Sequence, residues 1–326
     1  VSGDFDPILT QKYETAFFKN QRFSRKLDLQ PYTYKTVRGI DFYTKVFDLI
    51  GKQPNIEFVE ASISTFSESK EGVEVQTNVG VFYGEKLFNS IYNPNLVTSQ
   101  TKFPLVQQHF VGWFIKSAAP VFTPETATFM DFSIDQKNTT RFMYVLPTSE
   151  TEALLEYTLF SPDLLKKEEY ETEIQNYIQN LGISHYEIIE KESGNIPMTC
   201  YPFWKHNTQN ILNIGSAGGW TKASTGYTFK NTTKKSKEVV RFLQSHSDFR
   251  KFHKTNKFWF YDLLLIDILF RRNEIGSNIF SSMFKKAKAS LIFKFLDEET
   301  SILEDLKVIW QCPKMPFLNA LWRRIY

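Results

Sequence analysis

Residues 39–50 carry Ile40, Tyr43, Val46, Phe47 and Ile50 at intervals of three and four, the spacing of one helical face, which predicts an amphipathic helix. Period two then takes over. Residues 56–59, 73–76 and 80–83 alternate apolar and polar positions, with Glu71-Gly72 as a turn, and predict a small sheet followed by a short strand at 86–90. Four β-like runs come next, at 107–115, 127–134, 140–146 and 153–160, close enough in sequence to form one antiparallel sheet. Residues 164–181 read as a charged helix, 186–191 and 210–214 as strands, and 226–244 as a helix. From residue 245 the pattern is helical, strongest at 258–269, 279–296 and 301–310, and no internal repeat or low-complexity tract appears.

Two stretches depart from simple periodicity. The strand at 210–214 ends in Gly215-Ser216-Ala217-Gly218-Gly219-Trp220, followed by Ser224-Thr225-Gly226-Tyr227. Small residues between a strand and a helix leave backbone N–H groups free to face a flavin's pyrophosphate and ring, or they are a Gly-rich turn and nothing more. The second stretch is Thr151-Glu152-Ala153-Leu154-Leu155-Glu156-Tyr157-Thr158, where Glu156 interrupts an apolar run. Apolar flanks raise a carboxyl pKa and keep it available as an acid near neutrality; on an edge strand the same residue would face solvent. Asp131, in Met130-Asp131-Phe132, either positions Glu156 from a neighbouring strand or belongs to a turn. Tyr157 and Trp113 either present π faces to a cation or are core.

Together with Phe110-Val111-Gly112-Trp113 and Arg141-Phe142-Met143-Tyr144-Val145-Leu146-Pro147, these motifs closely resemble the lycopene cyclase family of flavoproteins, over residue 26 to about residue 242. The resemblance implies an α/β fold: a Rossmann-like FAD/NAD(P)-binding domain, an inserted antiparallel β-sheet substrate domain and a helical C-terminal region. The corresponding segments are 1–98 for the remainder of the FAD-binding domain, 99–200 for the sheet, 201–244 for the return to the FAD-binding domain and 245–326 for the helices. A flavoprotein of this kind opens with a strand, a G-x-G-x-x-G turn and a helix. The chain instead begins Val1-Ser2-Gly3-Asp4, so it is expected to lack that opening βαβ unit.

By the same resemblance Glu156 is the acid/base that protonates the end of lycopene or another linear carotenoid, with Asp131 as a secondary candidate. Gly215, Ser216, Ala217, Gly218, Gly219, Thr225 and Gly226 match the second flavin-binding segment. Ser216 stands where related flavoproteins usually carry Asp. The implied cofactor is FAD in its reduced form, with NAD(P)H as reductant, and the implied reaction is a redox-neutral closure of β-rings. Alternatives are a flavin-dependent isoprenoid reductase or hydroxylase of the same superfamily, and a non-catalytic lipid-binding protein.

Composition sharpens the setting. Phe alone contributes 31 of 326 residues, which suits a protein that meets large apolar ligands or lipid, or reflects an AT-rich genome. The 2 cysteines, Cys200 and Cys312, lie far apart and give neither a disulfide framework nor zinc spacing, so a reducing cytosol fits. The five histidines form no metal-binding pattern, and no metal is expected. From Lys234 onward 18 Lys and Arg stand against 10 Asp and Glu, so the tail is the basic end. A basic terminus rich in Phe, Trp and Leu suits anionic headgroups, and no nucleic-acid module appears. The expected location is cytoplasmic, peripheral on the inner face of the membrane. Residues 257–272 are the expected contact, with Phe258, Trp259, Leu263, Leu264 and Ile268 as an apolar stripe bracketed by Lys257, Arg271 and Arg272.

Overall fold

The computed structural model describes residues 3–325; Val1 and Ser2, part of the unusual start noted above, lie outside the described residues. The first half of the chain forms β1 (Gln11–Tyr13), β2 (Thr15–Asn20), β3 (Phe23–Asp28), β4 (Tyr34–Thr36), α1 (Gly39–Gly51), β5 (Ile63–Glu68), β6 (Val73–Thr77), β7 (Gly80–Gly84), β8 (Leu87–Asn89), α2 (Asn95–Thr98), β9 (Val106–Ser117), β10 (Thr126–Phe132), β11 (Thr140–Pro147) and β12 (Glu152–Ser161). There follow α3 (Lys167–Asn180), β13 (Tyr186–Met198), β14 (Ile211–Asn213), α4 (Phe229–Leu243), α5 (Lys257–Arg271), α6 (Gly276–Lys286), α7 (Ala289–Leu296), α8 (Ile302–Ile309) and α9 (Lys314–Ile325). The fold is mixed α/β, with a large sheet, smaller sheets and C-terminal helices, as the resemblance implied.

The chain divides into two compact units. One comprises the residues up to Tyr43 together with Val106–Pro197 and Leu264–Tyr326; the other comprises Thr44–Leu105 and Met198–Leu263. The four-segment division read from the sequence is kept as a proposal for the order of the parts.

The first unit is built on a seven-stranded sheet, β13-β9-β12-β11-β10-β2-β3. The four β-like runs of the sequence are its β9 to β12, and the pairs β9/β12, β12/β11 and β11/β10 are antiparallel. The sheet also recruits β2, parallel to β10, and β3, antiparallel to β2, so it is mixed rather than purely antiparallel. On one face, Trp113, Leu155, Tyr157 and Leu159 bury against Tyr170, Ile174, Tyr177 and Ile178 of α3. On the other, ring packs on ring: Phe18 on Phe284 at 4.6 Å, Phe132 on Phe280 at 5.9 Å and Phe129 on Phe293 at 5.6 Å, which seats α6 and α7.

Residues 279–296, one helix by periodicity, are broken between α6 and α7, where Lys288 is extended at ψ 135°. The Arg25 guanidinium donates to the carbonyls of Phe284 and Ala287, at 2.6 and 2.9 Å, and so satisfies orphan acceptors at the end of α6. That long-range partner is invisible to a local pattern.

The second unit holds the antiparallel sheet β5-β6-β7 and the parallel pair β8/β14. Residues 56–59 are not a strand: they are irregular, and β6 pairs instead with the Ser/Thr-rich β5, because alternation makes a strand only where a partner edge is available. Leu212, Trp220, Val239 and Phe249 form this unit's core around the Gly-rich turn and α4.

Helix α5 is not a membrane-facing helix. Phe258, Leu263, Leu264 and Ile268 are buried, and Arg271 reaches back to the buried Asp267 at 3.4 Å. Of the stripe read as lipid-facing, four residues are buried and Trp259 is partly buried. No helix among the described residues is long and apolar enough to cross a membrane.

Candidate active site

Glu156 lies mid-sheet on β12, in register with Gly112 of β9 and Tyr144 of β11. Strand alternation sends Leu155 and Tyr157 into the α3 core and Glu156 to the opposite face, where Phe142 and Tyr144 stack edge to face at 5.0 Å and Phe129 meets Tyr144 at 6.0 Å. Its Oε1 accepts a hydrogen bond from Thr158 Oγ1 at 2.6 Å. Burial pushes the Glu156 carboxyl up to about 7, against the pull of the Thr158 bond and with help from the nearby charge of Glu192. A carboxyl poised there is protonated for much of the time at neutral pH, which general-acid chemistry requires.

Tyr34 of β4 faces the same region. Its phenol is raised above its usual range first by burial and then by the charge of Glu156, so it stays protonated beside the carboxylate. It packs against Phe129 at 5.9 Å.

Asp131 is on the other face. The register of β10 against β11 slips between Thr128 and Asp131, so Asp131 opposes Met143, which in turn opposes Tyr157. One extra residue in a strand turns every following side chain over. Asp131 therefore accepts from Tyr177 of α3 at 2.8 Å and sits 3.9 Å from Lys19, and it does not position Glu156. Trp113 and Tyr157 are likewise buried in the α3 core, away from Glu156; the rings on its own face include Tyr34, Phe129, Phe142 and Tyr144.

Sequence reasoning missed Tyr34, Tyr144 and Glu192. One signal was available: Gly112, a glycine inside a long apolar strand, marks a close approach. A Cβ at Gly112 would lie 2.8 Å from Leu154 and 3.0 Å from Glu192 Cγ.

In the second unit the Gly-rich segment is a tight 3-10 turn, Gly215–Gly218, ending at left-handed Gly219 with φ 68°. Gly215, at φ 56°, has nothing within 4 Å of where a Cβ would stand, so the turn presents open backbone, while a Cβ at Gly218 would collide with the Asn213 carbonyl. The Ser216 hydroxyl shares a hydrogen bond with Thr221 at 3.1 Å. The second small pair is anchored as well: the N–H of Gly226 bonds to the Lys222 carbonyl at 2.8 Å, and buried Lys222 pairs with Asp262 at 3.0 Å. Ala217 is buried beneath the turn, and Thr225 accepts the Tyr227 N–H at 3.2 Å. The N–H groups of Gly218, Gly219, Thr225 and Gly226 bond within the chain and fix the turn, which leaves those of Gly215, Ser216 and Ala217 as the ones that can face a flavin, a fit for a flavin-binding segment.

The family model described as "Lycopene cyclase protein" matches residues 13–322. No curated protein matches the chain. Among solved structures, a geranylgeranyl bacteriochlorophyll reductase-like protein from Thermoplasma acidophilum aligns with TM-score 0.58 and 12% identity, covering 95% of this chain and 82% of that one. A point variant of HpxO from Klebsiella pneumoniae, complexed with FAD, aligns with TM-score 0.55 and 13% identity over 95% of this chain and 85% of that one. The flavin-dependent brominase Bmp2 gives TM-score 0.53 at 13% identity, over 99% and 84% of the two chains. This chain shares its overall fold with these three proteins.

Proposed function

The chain belongs to the lycopene cyclase family, and from that premise we propose that it is a lycopene β-cyclase, closing the linear ends of lycopene into β-rings without net redox change. The observation that carries this reading is the Glu156 carboxyl, held near neutrality on an aromatic face of the sheet. Its O–H bond breaks as a C–H bond forms at the substrate's terminal alkene. The cation so generated closes the ring, and a ring proton then passes to the Glu156 carboxylate, whose O–H bond re-forms as the ring C–H bond breaks and the ring double bond forms. Phe129, Phe142 and Tyr144 offer the negative faces of their rings to that positive charge. Tyr34, kept protonated, steadies the carboxylate that remains.

We further propose that the segment Gly215, Ser216, Ala217, Gly218, Gly219, Thr225 and Gly226 holds FAD: the N–H groups of Gly215, Ser216 and Ala217 face it, Ser216 supplies a neutral hydroxyl, and Gly218, Gly219, Thr225 and Gly226, whose N–H groups bond within the chain, fix the shape of the turn. When bound in its reduced form, FAD supplies negative charge that stabilises cationic species, and NAD(P)H serves only to prime it. Expression in lycopene-accumulating bacteria, followed by pigment absorption, tests the reading: lycopene is expected to convert to β-carotene. A saturated product formed with stoichiometric NADPH consumption would overturn it in favour of a reductase.

A water-insoluble substrate has to be drawn from a bilayer, and the support for a peripheral contact moves from α5 to α8 and α9. Ile302, Leu303, Leu306, Ile309 and Trp310, then Met315, Leu318, Trp322 and Ile325, stand exposed at helical spacing. Among the described residues, the exposed unpaired charges beside them are Lys307 and Lys314, whereas Arg323 is paired with Asp267 at 2.7 Å, Glu304 is tied to Lys294 at 2.7 Å and Asp305 is buried. Apolar side chains with positive charge alone suit an anionic leaflet. In flotation with anionic liposomes, Leu303→Ser with Trp310→Ser is expected to lose binding, and Lys307→Gln with Lys314→Gln to make the remainder less salt-sensitive. Unchanged flotation of the first pair would remove this surface from the proposal.

A further inference from the structure

Glu156 has a carboxylate neighbour that comes from two strands away. Glu192 is on β13, and β9 runs between β13 and β12. Strands lie about 4.8 Å apart, so a glutamate from β13 meets the backbone of β9 before it can approach β12. At that crossing β9 carries Gly112, the residue in register with Glu156. A Cβ on Gly112 would stand 3.0 Å from Glu192 Cγ and 3.1 Å from its Oε1. Glycine thus leaves the gap through which Glu192 leans toward the acid. A neighbouring step in the same strands runs the other way: Gly194 of β13 receives the ring of Phe110 from β9. Glycine and bulk alternate across the pair, which fixes Glu192 over Gly112.

The local cations are committed elsewhere. Arg38 bonds to Glu190 at 2.6 Å, Lys116 to Glu152 at 3.0 Å and Lys191 to Glu171 of α3 at 2.8 Å. Glu192 has no hydrogen-bond or ion-pair partner among the described residues, although it is partly buried. The titratable and charged groups around Glu156 are therefore Tyr34 from β4, Tyr144 from β11, and Glu190 and Glu192 from β13, with Arg38 already paired to Glu190.

We propose that Glu192 is a positioning residue that keeps Glu156 loaded with its proton, the two carboxylates holding one proton between them across Gly112. Two neighbouring carboxylates do not ionise independently, and the second proton is retained to higher pH. Burial raises the Glu192 carboxyl, with the charge of Glu190 adding to it, and Glu192 in turn adds to the rise at Glu156. This inference rests on the reading of Glu156 as the acid. During turnover Glu156 gives its proton to the alkene carbon, and the proton later lost from the ring carbon returns to it, so the pair ends each cycle with the one proton it began with. Neither oxidant nor reductant is needed for that exchange.

The test is a site-resolved titration of Glu156 in the full chain by carbon-13 NMR of labelled glutamate side chains, assigned with Glu156→Gln. In wild type the Glu156 carboxyl is expected to titrate near 7; in Glu192→Gln its midpoint is expected to fall by about one unit, because the neighbouring negative charge is gone. Glu192→Asp keeps the charge further back, is expected to give a smaller fall, and serves where the first variant does not fold. The alkaline limb of the kcat/KM profile should move down with the midpoint while KM stays. An unchanged Glu156 midpoint in both variants overturns the proposal, even if stability drops, since a purely structural Glu192 would cost stability without moving the titration. A midpoint that shifts in a protein that makes no cyclised product upholds the coupling and refutes the cyclase reading instead.

Discussion

The two faces of the seven-stranded sheet are made from the same strands and behave differently. On the α3 face, polar groups are tied in pairs: Tyr177 to Asp131 at 2.8 Å, Arg141 to Tyr157 at 3.0 Å, and His109 to both Tyr170 and Ser161 at 2.6 and 2.7 Å. On the opposite face, Glu156 accepts from Thr158 and Glu192 has no partner among the described residues. The first face uses its polar atoms to hold a helix, and the second leaves its carboxylates without a cation. The contrast lies in the missing cation rather than in complete satisfaction, since Trp113 Nε1 on the α3 face is also buried without a hydrogen-bond partner among the described residues.

The sharpest way to break that contrast is Glu156→Gln, expected to cut cyclisation at least ~100-fold, the scale of general-acid catalysis, while circular dichroism stays as in wild type. Asp131→Asn should cost less turnover and more stability. If it matched Glu156→Gln in activity loss at full stability, the division between faces would fail. Next, Tyr177→Phe removes a donor from buried Asp131 and is expected to lower unfolding free energy by roughly 1–3 kcal/mol, read from urea midpoints, with activity per folded molecule intact.

A subtler difference concerns pH. The Glu156 carboxyl titrates near 7 in the folded chain against an ordinary 4.5, so the folded state keeps a proton that the unfolded chain has lost between those values. Its contribution is full below 4.5 and declines as pH rises through 7. His109 is the reverse. Burial lowers it from 6.5 to about 4, so its contribution is full above 6.5 and declines as pH falls through 4. Urea midpoints followed across this range should lose the neutral-side decline in Glu156→Gln and soften the acid-side decline in His109→Gln. Curves parallel to wild type for both variants would erase the distinction.

Much of this architecture was legible beforehand because period-two patterns with good partners survive folding: β9, β11 and β12 lie close to where alternation put them, and α1 and α8 match their helical spacing. What escaped notice depended on long-range geometry. Asp131 changed sides through one bulged position in β10 that no composition signals. The interruption between α6 and α7 needed Arg25, 259 residues before Phe284 in the chain. β2 and β3 joined the large sheet although they precede the first element that periodicity predicted, at residue 39. For the candidate site, Glu156 could be read from its apolar flanks, whereas Glu192 required knowing that Gly112 lies between the two strands.

Asp267 adds a consequence for how far this protein tolerates shortening. Its carboxylate is 1% exposed and is met by Arg271 of its own helix and by Arg323 and Arg324 of α9, at 3.4, 2.7 and 2.8 Å. Three of the 18 positive charges counted in the tail are thus engaged internally at this one carboxylate. Trimming the last turn of α9 would strip two of three cations from an anion that water cannot reach, and an uncompensated buried charge costs several kcal/mol. The last turn of α9 is therefore a neutralising counterion for the interior, and Asp267→Asn should make its removal tolerable.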